Sequence, residues 1–486
     1  MPRATSDATG NFSFPSLEPG EYSISVARAG FVAPRLGQTR LVLAPKQRFE
    51  KFLLRLDPQA VVAGKVTDTE GTPVAGVQVS LLRNFYRDGR RQLVPVTGAS
   101  TNDLGEYRLS GLAPGRYYLH TSADNLAVSP SPDPNLDTGG EFRYGRLFYP
   151  ASPDAAGAAP VVLTPGVQLG GMDFRLTAAR GWCVRGQVDG PGSDSSPLVA
   201  AVALEQVDAP PGWSSHQAVP IEGSRADFEI CGVLTGSYHL TVNAIRLEAE
   251  EQRQNLSRAA MRVEVGRADI NAGTLTIRAG VDLEGRAHIE GAGEAGRKWP
   301  LSVSLVSMDA LFEGMHAAVK DDGRFVIRNL PPGRYRVNAG GGSEDLFLTQ
   351  ARWSDREVLE EGFEYTGESA GALEVTVSSA GGRIDGRVLD AKSQPAANAF
   401  VALMPKERQK TARLGRSILC DQAARFSIRG IPPGEFLLFS WTADQPEVED
   451  GSYQDAEFLT RFQSRAKAIT IRENSSEAVD LKLIVD

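Results

Sequence analysis

Asp322-Gly323-Arg324-Phe325-Val326-Ile327-Arg328-Asn329-Leu330-Pro331-Pro332-Gly333-Arg334-Tyr335 holds two turns and the strand between them. Asp-Gly ahead of an aromatic is hairpin chemistry: the aspartate side chain bonds nearby backbone amides, and glycine accepts positive φ. Phe325-Val326-Ile327 then alternates, so one face is apolar at a strand's period of two. Leu330-Pro331-Pro332-Gly333 makes the second turn, with proline presetting φ and glycine in the left-handed position. Tyr335 opens another alternating strand.

The unit recurs along the chain. Asp103-Leu104-Gly105-Glu106-Tyr107 through Leu112-Ala113-Pro114-Gly115-Arg116-Tyr117 repeats it closely, with further copies at Asp7–Tyr22 and Asp421–Phe436 and a worn one at Asp227–Tyr238. The turn glycines Gly20, Gly115, Gly236, Gly333 and Gly434 stand 95, 121, 97 and 101 residues apart by subtraction. That spacing fits sandwiches of about 100 residues each. Every copy is strand, tight turn, strand, and its apolar face requires a second sheet.

A second element marks each domain's start, apolar-x-Gly-x-apolar: Val62–Val66 around Gly64, Val184–Val188 around Gly186, Leu283–Ala287 around Gly285 and Ile384–Val388 around Gly386. The fullest copy runs on through Asp68-Thr69-Glu70-Gly71-Thr72-Pro73 into Val77-Gln78-Val79-Ser80-Leu81, a turn and a further strand. Closing strands are expected at Phe52–Leu56, Met172–Leu176, Leu275–Ile277, Leu373–Val377 and Val479–Ile484. The domains are therefore placed at 1–57, 58–178, 179–278, 279–378 and 379–486, joined by linkers too short for free tumbling. The first lacks its front half and no apolar leader precedes Asp7, which reads as a fragment or a mis-assigned start. A secretion signal and the completing strands are expected in the missing part. Helical turns are expected at Asp455–Phe462, with Asp455 as cap, and at Leu247–Ala260.

With 486 residues, 50 glycines and 29 prolines, the chain reads as several turn-rich β domains. A net charge of −8 without a basic block argues against nucleic acid. No apolar run approaches the length of a membrane span.

Residues 64–119 follow Gly-x-Val-x-Asp-x-x-Gly-x-Pro-Val-x-Gly-Val-x-Val, then Asp-x-x-Gly-x-aromatic, then Leu-x-Pro-Gly-x-Tyr. This resembles the carboxypeptidase regulatory-like domain, a small prealbumin-like sandwich near starch-binding-like folds. The third domain departs from it at Asp189-Gly190-Pro191-Gly192 and Leu234-Thr235-Gly236, and the fifth carries Ala424 in place of the hairpin glycine. The resemblance implies an all-β tandem array of five immunoglobulin-like or prealbumin-like sandwiches, the first incomplete. It also implies a bacterial protein of the envelope or exterior: extracellular, periplasmic or at the cell surface. In family members with a peptidase, the catalytic part is a separate domain.

No catalytic constellation emerges. His120, His216, His239, His288 and His316 lack zinc-ligand spacing. Gly367-Glu368-Ser369-Ala370-Gly371 matches a nucleophile elbow, yet an alternating strand follows where that chemistry needs a helix. The turn–strand unit also resembles collagen-binding B-type pilin modules, which weld strands through a glutamate four residues past the tyrosine. Here those positions hold Val26, Thr121, Val242, Ala339 and Ser440. No loop clusters carboxylates as calcium requires, and no cofactor is expected. Cys183 and Cys231 fall in one domain, where a disulfide or two plain thiols are both open; Cys420 stays unpaired either way.

Sugar recognition needs exposed rings beside polar groups. The ligand-binding candidates are Phe85 and Tyr86, then Tyr144, Phe148 and Tyr149 in the insertion at 124–150, and Trp213, all of which also read as lids on their own sandwiches. Three functions follow: a non-catalytic spacer or adhesion array whose partner is a polysaccharide or another envelope protein, a carbohydrate-binding array, and an accessory part of a secreted hydrolase.

Overall fold

The two recurring motifs are halves of one device. In the computed structural model Gly64, Gly186, Gly285 and Gly386 stand opposite Tyr107, Phe228, Phe325 and Phe426 on the neighbouring antiparallel strand. A Cβ on Gly186 would lie 2.6 Å from Cζ of Phe228 and 2.8 Å from the carbonyl oxygen of Gly273 on the strand beyond. The ring crosses the glycine's Cα from one side while the closing strand presses from the other. Only hydrogen fits between them. Gly64, Gly285 and Gly386 meet the same pair, an aromatic ring and a carbonyl, from Met172, Leu373 and Val479. The residues described are 2–33, 39–48, 54–87, 90–123, 126–128, 141–190, 198–207, 214–221, 224–246, 255–277, 281–290, 301–308, 315–341, 344–367, 371–397, 399–407, 410–442, 445, 448 and 451–484.

Each opening strand also pairs in parallel with its domain's closing strand. Trp182–Asp189 takes Ile270–Thr276, Val281–Glu290 takes Leu373–Ser378, and Gly382–Leu389 takes Ser476–Lys482. In the second sandwich Ala60–Thr67 takes Gln168–Leu169 and Phe174–Arg175. The facing sheet is antiparallel, in the order Ser214–Ile221, Leu198–Gln206, Gly236–Arg246, Asn255–Val265 for the third sandwich. The fourth and fifth repeat that order around Gly333–Gly340 and Gly434–Thr442. Separate apolar cores fill the space between paired sheets, around Val62, Leu81 and Leu119, around Val184, Val202 and Leu240, around Val303, Val337 and Val375, and around Ile384, Val401 and Leu438. These are all-β sandwiches in tandem, as the residue pattern implied.

The first unit is smaller: Gly20–Ile24 pairs with Thr39–Leu43, and Phe31–Val32 with Asp57–Pro58. Its closing strand expected at Phe52–Leu56 does not form over 54–56, and 52–53 lie outside the described residues. The helix expected at Leu247–Ala260 is also corrected. Residues 247–254 lie outside the described residues, and Asn255–Val265 is a strand paired along Gly236–Arg246. Val263 and Val265 face the core at period two, so sheet burial overrides the helical charge spacing.

Turn chemistry explains why the strands reverse where they do. Asp421 accepts the Ala423 and Arg425 amides at 2.8 Å each, and Asp7 accepts those of Thr9 and Asn11 at 2.9 and 2.8 Å. In the second sandwich Asn102 performs this task, accepting Leu104 and Glu106, not Asp103 as the spacing suggested. Ala424 adopts φ 58° where other copies place glycine, a conformation costing an L-residue about 1 kcal/mol or more.

The second turn is locked by the aromatic after it. The hydroxyls of Tyr22, Tyr117, Tyr238 and Tyr335 donate to the carbonyls of Glu18, Ala113, Leu234 and Pro331 at 2.7, 3.0, 2.9 and 2.8 Å. Each bond reaches back four residues across the turn. Phe436 keeps the ring without the hydroxyl.

Candidate functional site

The rings chosen as sugar platforms do not gather. Phe148 is 4% exposed and packs with Leu82 and Tyr118, its ring edge-on to His120 at 4.5 Å. It lies in Leu147–Phe148, which pairs with Gly115–Ser122, so pairing to its own sandwich turns that ring inward. Tyr144 and Tyr149 pack against the second core, with Tyr149 edge-on to Phe174 at 5.9 Å. Burial, with Asp68 and Glu70 nearby, raises the Tyr144 phenol above its ordinary pKa. Tyr86 is 9% exposed and so is no open platform, while Phe85 beside it is half-buried. Trp213 lies outside the described residues. The aromatic half of the insertion is therefore a lid over the second sandwich.

His120 is buried, and burial together with Arg146 holds its imidazole well below the ordinary pKa, in the neutral form. Ser369 lies outside the described residues. The described chain beyond it forms the strand Leu373–Ser378, where a nucleophile elbow requires a helix.

Cys183 and Cys231 are joined as a disulfide on the outward face of the third sandwich. They sit on Trp182–Asp189 and Arg225–Val233, strands already paired antiparallel. Next to them Arg185 bonds Glu229 at 2.5 Å and Asp269 at 2.9 Å. The Cys183 amide and the Arg185 guanidinium hold the Asp269 carboxyl below its usual range. A groove of about 570 Å³ runs over this face, lined by Arg185, Gln217, Asp227, Glu229, Asn271 and Thr274 among others. Ligand atoms of Cys183, Glu229 and Cys231 lie within 4.8 Å of one another. While the disulfide stands, its sulfurs are not the thiolates that a soft metal ion requires. Sequence reasoning left this bridge open; which residues face each other across two strands follows from a register set by the bulge between Trp182 and Val184.

Cys420 is a free, buried thiol, pushed up to about 12 by burial and then by Asp421. That shift removes the thiolate at neutral pH, so the group is packing rather than a nucleophile.

Residues 61–143 match the family model of the carboxypeptidase regulatory-like domain. This span is the second sandwich with part of its insertion, a minority of the chain. No curated protein matches. Among solved structures, the chain is similar to the Bacillus anthracis TIE protein at 10% identity, covering 90% of this chain and 76% of that one with a TM-score of 0.17. It is similar to the full-length RrgB pilus protein of Streptococcus pneumoniae at 8% identity, covering 88% and 98%, TM-score 0.16. It is also similar to two B repeat units of the collagen binding protein of Staphylococcus aureus at 10% identity, covering 79% and 92%, TM-score 0.16. Among the described residues no helix is long and apolar enough to cross a membrane.

Proposed function

We propose that the chain is a non-catalytic array of β-sandwiches working outside the cytoplasm as a spacer and interaction surface. The observation that supports this most is where the recurring residues go. Glycines 64, 186, 285 and 386 admit a ring, the tyrosines lock a turn, and Asp7, Asn102 and Asp421 cap hairpins. The repetition thus preserves a shape. The Cys183–Cys231 disulfide supports an oxidising compartment, since such bridges rarely persist in the cytosol. The partner in this reading is a polysaccharide or another envelope protein. For the polysaccharide, the ring offered for contact in this reading is the half-buried Phe85.

The full chain is to be incubated with peptide and polysaccharide libraries and also displayed on arrays of glycans and cell-surface proteins. Binding without product is the expected result. Release of a product from any library member overturns the reading. Loss of a glycan signal in Phe85→Ala would select the polysaccharide over a protein partner.

A further inference from the structure

We propose that the hairpin carrying Tyr86 is a docking surface for the fifth sandwich of the same chain, so that sandwiches two to five close into a ring. This goes beyond the spacer reading and does not depend on it.

The register of the second sandwich shows the docking element. Strand Gln78–Arg87 pairs with Arg90–Ser100 along its whole length, from Gln78↔Ser100 to Arg87↔Arg90. Its other neighbour, Gly115–Ser122, accompanies it only from Gln78 to Leu82. Residues 83–87 and 90–94 therefore run beyond the sheet as a two-stranded ribbon. The equivalent strand of the third sandwich, Leu198–Gln206, is flanked on both sides along nearly all its length. An unsupported two-stranded ribbon is marginal in water and gains from a surface to lie on.

The receiving surface is also an addition to the repeat. Between Gly434–Thr442 and Lys467–Ile471 the fifth sandwich inserts a short helical segment, Ser452–Gln454 followed by Ala456–Phe462. Phe458 and Phe462 anchor it on Phe439 and Trp441, a core outside the space between the two sheets. Asp455 lies at its start, and its carboxylate has two tasks. Oδ1 accepts the Glu457 amide at 2.8 Å and caps the helix. Oδ2 accepts the Tyr86 hydroxyl at 2.6 Å, across 369 residues of sequence. The Gln454 side-chain amide donates to the Tyr86 carbonyl at 3.2 Å. Gly451 completes the seat: it adopts φ 83°, and a Cβ there would stand 3.2 Å from the Tyr86 carbonyl oxygen and 3.4 Å from Tyr86 Cβ.

Contacts between successive sandwiches supply the rest of the ring. The Gly181 amide donates to the Glu141 carbonyl at 2.7 Å, from the third sandwich to the insertion of the second. Strand Asn255–Val265 lies against Arg324–Leu330, third to fourth. Arg413 pairs with Glu360 at 2.6 Å, fifth to fourth. The Tyr86 contact joins the two ends of this series. A hairpin that outruns its sheet and a helical segment inserted in another repeat meet each other through a donor, an acceptor and a glycine gap, which is the pattern of a fitted interface.

The geometry provides its own test. A Cβ placed on Gly451 would stand 3.4 Å from Tyr86 Cβ, just under the roughly 3.5–4.5 Å that a disulfide spans. The double variant Tyr86→Cys/Gly451→Cys, oxidised in dilute solution, is expected to form an intramolecular bridge. Peptide mapping would show it, and migration on a non-reducing gel would shift. Each single variant should show neither. Tyr86→Ala, which leaves the fifth sandwich untouched, is expected to shift the radius of gyration upward and to speed amide exchange at 451–455. A bridge found only between two copies of the chain overturns the ring, and so does a Tyr86→Ala radius equal to that of the parent.

Discussion

At the scale of single residues, the glycine opposite a ring is a tight constraint that recurs in four of the sandwiches. Gly186→Ala would drive a methyl into Phe228 and the Gly273 carbonyl, neither of which is the free end of a flexible chain. Overpacking of this kind costs about 1–3 kcal/mol, expected as a lower midpoint in urea for the third sandwich. The tyrosine that locks the second turn is worth less. Tyr335→Phe removes a buried hydrogen bond to the Pro331 carbonyl and is expected to cost about 1 kcal/mol. Phe436→Tyr, which restores the hydroxyl the fifth copy lacks, is expected to gain up to about the same amount; no gain on melting would show that the fifth turn is closed differently.

At the scale of elements, the hairpins depend on carboxylates that accept backbone amides. Asp7 is bonded by Thr9 and Asn11 in this way and its carboxyl is lowered to about 2 from an ordinary 3.8. A depressed folded pKa contributes stability that is fully present above the unfolded value and is lost as pH falls through the folded one. The Asp7 turn should therefore hold above about pH 4 and loosen toward pH 2. Amide exchange at Asn11, followed from pH 5 to 2, checks this; protection unchanged at the acid end would refute it. The short helix Ala456–Phe462 obeys the same chemistry, and its cap and apolar face were legible from Asp455, Phe458, Leu459 and Phe462. The strand at Asn255–Val265 was not, because charges at helical spacing say nothing of a neighbouring strand waiting to pair.

At the scale of the whole molecule, each sandwich has its own core, so unfolding is expected in more than one step. The Cys183–Cys231 bridge spans 48 residues within one of them. Closing a loop of that size stabilises by up to roughly 4 kcal/mol. Reduction, or Cys183→Ser with Cys231→Ser, is expected to lower one calorimetric transition and leave the others in place. A uniform shift of all transitions would mean that the sandwiches unfold as one unit.

The amino-acid order alone determined the alternation and the turns, because strand period and turn chemistry are local and Asp-Gly, Pro-Gly and alternating apolar residues act over a few positions. It also placed the core rings of the recurring motif. Tertiary structure decided that each motif glycine faces a ring a strand away, that the closing strand runs parallel to the opening one, and that Phe148 is a lid. It decided as well that Tyr86 meets Asp455. Those facts depend on register and on pairing between segments 40 to several hundred residues apart, where the partner's identity is set by the shape of the folded whole and leaves no mark in the neighbouring sequence.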